Sequence, residues 1–231
     1  MKKPQFENNE IYHVLNHGVE QRNIFADDKD HLRFIHDLYE FNDEAPAENI
    51  YYKSMDLESY EVKPRKIKER KLLVEILAFC LMPNHYHLLL KQKKDNGISR
   101  FMQKLGTGYT MSFNKKYKRR GTLFQSTYKS ILIDKQNHFL NLPYYIHLNP
   151  LDLSFPEWRA RKLNNYNGAM EYLGNYRWSS YLDYAGKKNF PSITNREFLL
   201  GVFGGDGKYK QNIEKWLKDM AVNDARELSL E

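Results

Sequence analysis

The chain has 231 residues, 41% of them hydrophobic and 28% charged, with a formal net charge of +7. That suits one large domain, or one domain with an appendage, and excludes wholesale disorder. No run of about 18 apolar residues occurs, which excludes a membrane-spanning helix, and a single cysteine, Cys80, excludes an internal disulfide and a multi-cysteine zinc site.

The basic N-terminal residues are not followed by an apolar stretch, so no signal peptide is read there, and a reducing cytoplasm is the expected compartment. Aromatic residues make up 14% of the chain, tyrosine above all. Basic charge attracts phosphates and tyrosine rings stack on exposed bases, although solubility alone also accounts for such a charge.

Ile11–His17 alternates as a strand and Gly18 ends it. Asp27 or Asp28 caps a helix to about Phe41, with Leu32, Ile35, Leu38 and Tyr39 on one face. Residues 42–71 lack a clear period and are read as a solvated insertion whose end, Lys63–Lys71, is mostly basic. The apolar run Leu72–Met82, the turn Pro83-Asn84 and the run His85–Leu90 then predict a β-hairpin. Side chains alternate on the second strand, so His85 and His87 point to one face and Tyr86 to the other. Two adjacent imidazoles can share a metal ion; they can equally be satisfied by hydrogen bonds on a half-buried strand.

Ile98, Phe101, Met102, Leu105, Tyr109, Ser112 and Phe113 recur at helical spacing, with Gly106 and Gly108 weakening the middle. The exit of this helix, Lys115 to Arg120, holds five cations in six positions and suits phosphate contacts. A helix dipole accounts for one or two of them, not five. Thr122–Ile133 is β-rich and predicts a further strand. A helix follows through Phe139–Leu148, which Pro143 either starts or kinks and which Asn149, preceding Pro150, ends. Two more helices are expected near 195–203 and 208–222.

Tyr145 and Asn149, four apart, share a face of the helix before Pro150. A tyrosine can serve as a covalent nucleophile once its phenol is activated, and an Asn oxygen one turn on can complete a metal's coordination beside two imidazoles. Mixed imidazole and oxygen ligands on a phosphate suit Mg²⁺ or Mn²⁺ better than closed zinc. Tyr109 is a rival nucleophile, weakened by its glycines and by Phe113 four residues on; Tyr144, with Leu148 at that position, is weaker still.

Pro-Asn-His-Tyr-His-Leu-Leu-Leu at 83–90, followed by Tyr-Ile-His-Leu-Asn-Pro at 145–150, resembles the HUH single-tyrosine transposases, and most nearly their REP-associated branch. His13-Val14 through Ile24-Phe25, Gly121–Lys129 and Trp178-Ser179-Ser180-Tyr181 are similar too, so the resemblance runs from about residue 10 to 186. It implies an α+β, ferredoxin-like antiparallel sheet with helices on one face, in a nuclease domain at 8–150 that carries the 42–71 insertion. A helical extension at 151–231 would pack on that domain. The resemblance further implies a metal-dependent endonuclease and strand-transferase acting on single-stranded DNA beside a hairpin or palindromic repeat. Tyr145 would be the nucleophile of a 5′-phosphotyrosine intermediate, and His85, His87 and Asn149 the ligands of Mg²⁺ or Mn²⁺. Candidate DNA contacts are Arg100, Lys104, Lys115, Lys116, Lys118, Arg119, Arg120 and Lys129. The expected setting is the cytoplasmic nucleoid, with no membrane, as monomer or homodimer. Two alternatives stay open: a non-catalytic regulator binding hairpin DNA or RNA, and a metal-dependent nuclease with no covalent step.

Overall fold

Residues 5–46, 70–160 and 162–219 are described by a computed structural model. Most of the 42–71 insertion, including residues 63–69 of its basic end, lies outside the described residues. The alternating segment Ile11–His17 forms β1, followed by helix α1 (Asp28–Glu40). Strands β2 (Val74–Met82) and β3 (His85–Gln92) make the hairpin around Pro83-Asn84. Helix α2 (Gly97–Lys116) and strand β4 (Lys129–Leu132) complete a four-stranded antiparallel sheet in the order β2-β3-β1-β4. This is the β-α-β-β-α-β order of a ferredoxin-like fold.

Period-two alternation divides the side chains of the sheet between two cores. Tyr12, Val14, Tyr86, Leu88 and Leu90 face α1 and α2, as expected of helices on one face. Leu89, Cys80 and Met82 face the other way, against helix α3 (Gln136–Leu148). A bulge between Ile76 and Ala78 restores the parity of β2, so that Ile76 lies in the first core and Leu77 and Ala78 in the second. Helices α4 (Tyr166–Asn175), α5 (Tyr181–Tyr184), α6 (Arg196–Phe203) and α7 (Asp206–Asp219) join α3 on that second face. His147 of α3 ties this layer together, hydrogen-bonded to Tyr209 Oη at 2.6 Å and to Ser180 Oγ at 2.7 Å.

Several local expectations shift. Asp27 caps α1 as expected, its Oδ1 accepting from the Asp30 amide at 3.0 Å. The buried stripe, however, is His31, Phe34, Ile35 and Leu38, while Leu32 and Tyr39 are exposed. Spacing from Phe34 rather than Leu32 sets the inward face, because α1 must lay its ring against Tyr86 and Tyr109. Gly106 and Gly108 do not interrupt α2; a Cβ on Gly108 would come within 2.4 Å of the Phe41 ring, so glycine there lets the two elements touch. Of Thr122–Ile133 only Lys129–Leu132 is strand. The residues before it form a loop pinned to β1, with Asn16 Nδ2 donating to the carbonyls of Ser126 and Thr127. Helix α3 runs through Pro143, whose missing N–H leaves the Phe139 carbonyl without its helical donor.

Asn42 belongs to the fold rather than to a solvated insertion. It is buried, its Oδ1 accepts from the amides of Leu73 and Val74 and its Nδ2 donates to the Val74 carbonyl, which ties the end of α1 to the start of β2. Asn42→Ala strands these backbone groups and is expected to lower the urea-derived unfolding free energy by about 2–3 kcal/mol. A loss below about 0.5 kcal/mol, the scatter of surface substitutions, would show that the tie is dispensable.

Candidate functional site

Antiparallel pairing sets His17 opposite His85 and Leu15 opposite His87. Directly opposed residues project from the same face, so His13, His17, His85 and His87 gather on the side of the sheet that α3 covers. The His85 and His87 rings lie 4.9 Å apart, edge to face. His17 stacks on His85 at 4.7 Å, and His13 Nε2 is 3.0 Å from His87 Nδ1. His13 and His17 escaped the sequence reading, although their spacing of four along an alternating strand already placed both on one face.

Burial keeps these imidazoles neutral. It lowers the pKa of His13 to about 3, and, with the proximity of the His17 ring and the Arg159 guanidinium, that of His85 to about 3. His87, wholly buried and close to His85 and His13, lies well below the usual value. His85 Nδ1 contacts Asn84 Oδ1 at 2.7 Å, and an amide oxygen only accepts, so Nδ1 carries the proton and Nε2 the lone pair. When His87 Nδ1 donates to His13, its Nε2 likewise carries the lone pair. Such partners on the far nitrogen are what orient metal-ligating histidines.

Helix α3 brings Tyr145 to the same place. Its ring stands edge to face against His87, 6.0 Å between centroids. One turn later Asn149, the C-cap, returns its Nδ2 to the Tyr145 carbonyl at 2.9 Å. The four residues singled out from the sequence therefore share one buried face, with relative exposures of 8% for His85 and 0% for His87, Tyr145 and Asn149. The rival tyrosines do not. Tyr109 belongs to the opposite core, donates to the Ile24 carbonyl and has its pKa driven up by burial. Tyr144 packs between Phe203 and Tyr209, with its pKa raised by burial to about 12.

Arg159, in the 3-10 turn Pro156–Ala160, was not foreseen. Its Nη1 donates to Tyr145 Oη and its Nη2 to Asn149 Oδ1, each at 3.2 Å. Asp152 holds it from the other side, Nε to Oδ1 at 2.7 Å and Nη2 to Oδ2 at 2.5 Å. Burial opposes the Arg159 charge, but the bonds to Asp152 and the proximity of Tyr145 outweigh it and raise its pKa. No pattern announces Arg159, because an irregular turn without a period brings it back to α3.

The donor set suits the divalent cation that the resemblance implies. Two neutral imidazoles present their Nε2 lone pairs from one face, and Asn149 Oδ1 has two lone pairs, of which Arg159 uses one. Among the described residues no three His, Cys, Asp or Glu side chains form a metal-holding group; in the ligand set that the resemblance implies, the Asn149 amide oxygen would be the third donor.

The basic candidates separate. Arg100 donates to the Glu44 carbonyl and Lys104 to the carbonyls of Asp43 and Ala45. Sixteen residues of helix, about 24 Å at 1.5 Å per residue, part Arg100 from Lys116, whose ammonium is held by Asp27 and Asp30, each at 2.7 Å. Arg119 donates to Asn114 Oδ1, while Lys115, Lys118 and Arg120 are exposed at the exit of α2. Of all these only Lys129, opposite Leu15 on β4, projects from the histidine face, near enough to His17 to help burial lower its pKa.

Residues 48–149 match the family model described as "Transposase IS200 like", a family of DNA-cleaving enzymes. The resemblance to single-tyrosine transposases is borne out over that segment, which contains His85, His87, Tyr145 and Asn149. No curated protein matches the chain. A solved structure described as "Structure of the REP associates tyrosine transposase bound to a REP hairpin" is similar with a TM-score of 0.49 and 13% identity, covering 84% of this chain and 93% of that one. No helix among the described residues is long and apolar enough to cross a membrane.

The neutral histidines make stability depend on pH. Folded-state values near 3 for His13, His85 and His147, against the usual 6.5, mean that the unfolded chain binds more protons between those limits. Stability is therefore complete above about pH 6.5 and lost as pH falls toward 3. Urea unfolding at pH 7.5, 6 and 5 should give a free energy that declines with a slope steeper than one proton, about 1.4 kcal/mol per pH unit. A flat profile would contradict neutral burial of the cluster.

Proposed function

We propose that this protein is a single-tyrosine transposase that nicks and rejoins single-stranded DNA beside a hairpin. What supports this most is one juxtaposition: the Tyr145 ring stands against His87, with Asn149 one turn on, so nucleophile and imidazole pair face one another across α3 and the sheet. In the forward step Tyr145 Oη attacks the scissile phosphorus and forms a new P–O bond. The bond to the 3′ oxygen breaks, the phenol proton passes to water, and the departing oxygen takes one up as a 3′-OH. The product is a 5′-phosphotyrosine, which keeps the phosphodiester energy, so the same 3′-OH or another can reverse the step without ATP. Mg²⁺ or Mn²⁺ held by His85 Nε2, His87 Nε2 and Asn149 Oδ1 would supply charge neutralisation at a non-bridging phosphate oxygen.

The chain's own residues account for the rest. His13 and Asn84 hold the rings of His87 and His85 in place. Lys129 adds positive charge on the histidine face, and Lys115, Lys118 and Arg120 suit the flanking backbone. The insertion ahead of the hairpin and the helical extension are candidates for DNA selection.

The test is incubation with labelled single-stranded hairpin DNA and Mn²⁺, followed by a denaturing gel. A covalent protein–DNA adduct is expected, reduced about a thousand-fold or more by Tyr145→Phe. Cleavage that survives Tyr145→Phe would instead indicate a nuclease without a covalent step, and tight binding without cleavage a regulator; hairpin RNA in a parallel reaction separates the two nucleic acids.

A further inference from the structure

Among the described residues around Tyr145, the Arg159–Asp152 pair is the part most open to solvent. Tyr145, Asn149 and His87 expose no surface, whereas the Arg159 side chain is 29% exposed. The guanidinium is therefore within reach of a DNA phosphate that approaches Tyr145 from solvent. The two edges of that group are differently engaged. Asp152 takes Nε and Nη2 in a two-point ion pair, which fixes the plane of the fork. The edge formed by Nη1 and Nη2 faces two neutral oxygens, Tyr145 Oη and Asn149 Oδ1, each at 3.2 Å. Both bonds are long for a guanidinium, and charge-assisted bonds to anionic oxygens are shorter and roughly twice as strong. Two non-bridging oxygens of one phosphate match the spacing of such an edge.

We propose that Arg159 is a phosphate-binding residue of the Tyr145 site: the scissile phosphate displaces Tyr145 Oη and Asn149 Oδ1 from the Nη1–Nη2 edge while Asp152 keeps hold of the other. The exchange does three things at once. It places the phosphorus next to the phenol oxygen that the guanidinium has just released. It returns Asn149 Oδ1 to full use as a ligand. It also sets a fixed positive charge where the equatorial oxygens gain negative charge during the displacement, the kind of preorganised stabilisation that contributes most to such steps. Asp152 is then a positioning residue. Its carboxylate, which also accepts from Trp158 Nε1 at 2.6 Å, keeps the guanidinium from following the DNA out of the cleft. Arg159 lies beyond the 48–149 segment that matches the transposase model.

This rests on Tyr145 being the nucleophile, and the experiment keeps the two claims apart. The probe is a 3′-labelled hairpin oligonucleotide pool with randomised single-stranded flanks, so that the label stays on the strand joined to the protein, incubated with Mn²⁺ and read by adduct formation and sequencing of cleaved ends. If the wild-type protein forms no adduct with the pool, or Tyr145→Phe cleaves as well as wild type, the nucleophile assignment fails and this proposal with it. If adduct forms through Tyr145, its rate at saturating DNA should fall about 100-fold in Arg159→Ala, as for loss of one transition-state donor, with the DNA dissociation constant changed less than about threefold. Added guanidinium at low millimolar concentration should restore part of that rate, which it cannot do for a merely structural defect. Should Arg159→Ala fail to fold, Arg159→Lys carries the test, since it keeps the charge and loses the paired edge; a rate at least about tenfold below wild type is expected. A wild-type rate in either variant overturns the proposal with Tyr145 intact as nucleophile. So does a slow Arg159→Ala protein that still binds DNA and does not respond to guanidinium.

Discussion

The pairing of β1 with β3 governs what this molecule can do. Register on these two central strands sends Tyr12, Val14, Tyr86, Leu88 and Leu90 toward α1 and α2, and His13, His17, His85 and His87 toward α3. A slip of one residue on either strand would turn its two imidazoles into an apolar core and expel its large apolar side chains. The apolar face thus holds the polar face in register. Stabilisation and function are not separate provinces of this sheet: the first core is the reason the histidines meet α3.

The second constraint is electrostatic. Burial leaves the imidazoles uncharged and able to offer lone pairs, while the Arg159 guanidinium against Tyr145 is balanced by Asp152. A buried ion pair of this kind is poor evidence for added stability, since desolvation offsets much of the attraction. Its value lies in geometry. Asp152 fixes the guanidinium plane, and that plane fixes which oxygens can meet it. In the proposed reading a divalent cation and the arginine would share Asn149, which would couple them through a single amide oxygen.

Much of this was legible in the residues. Alternation gave β1 and β3, the Pro-Asn turn gave the hairpin, and four-residue spacing gave Tyr145 with Asn149. Those signals are local, so sequence displays them. The α1 stripe shifted because Leu32 and Phe34 are both apolar and only the partner surface, with Tyr86 and Tyr109, decides between them. Ser126 and Thr127 sit in a stretch that reads as strand yet is loop, held by the side chain of Asn16 more than a hundred residues away. Arg159 and Asp152 left no local mark at all, because their meeting with Tyr145 depends on how an irregular turn folds back. Lys104 and Lys116 showed the opposite failing: charge is visible in sequence, but its prior commitment to Asp43, Asp27 and Asp30 is not.

The central claim is that the histidine face and α3 form one site with Tyr145 as its nucleophile. The most direct measurement is mass spectrometry of the proteolysed protein–DNA adduct, with fragmentation to the modified residue. The account predicts a nucleotide 5′-phosphate on Tyr145. Attachment to Tyr109, in the opposite core, or to Tyr144, turned toward α6 and α7, would contradict it.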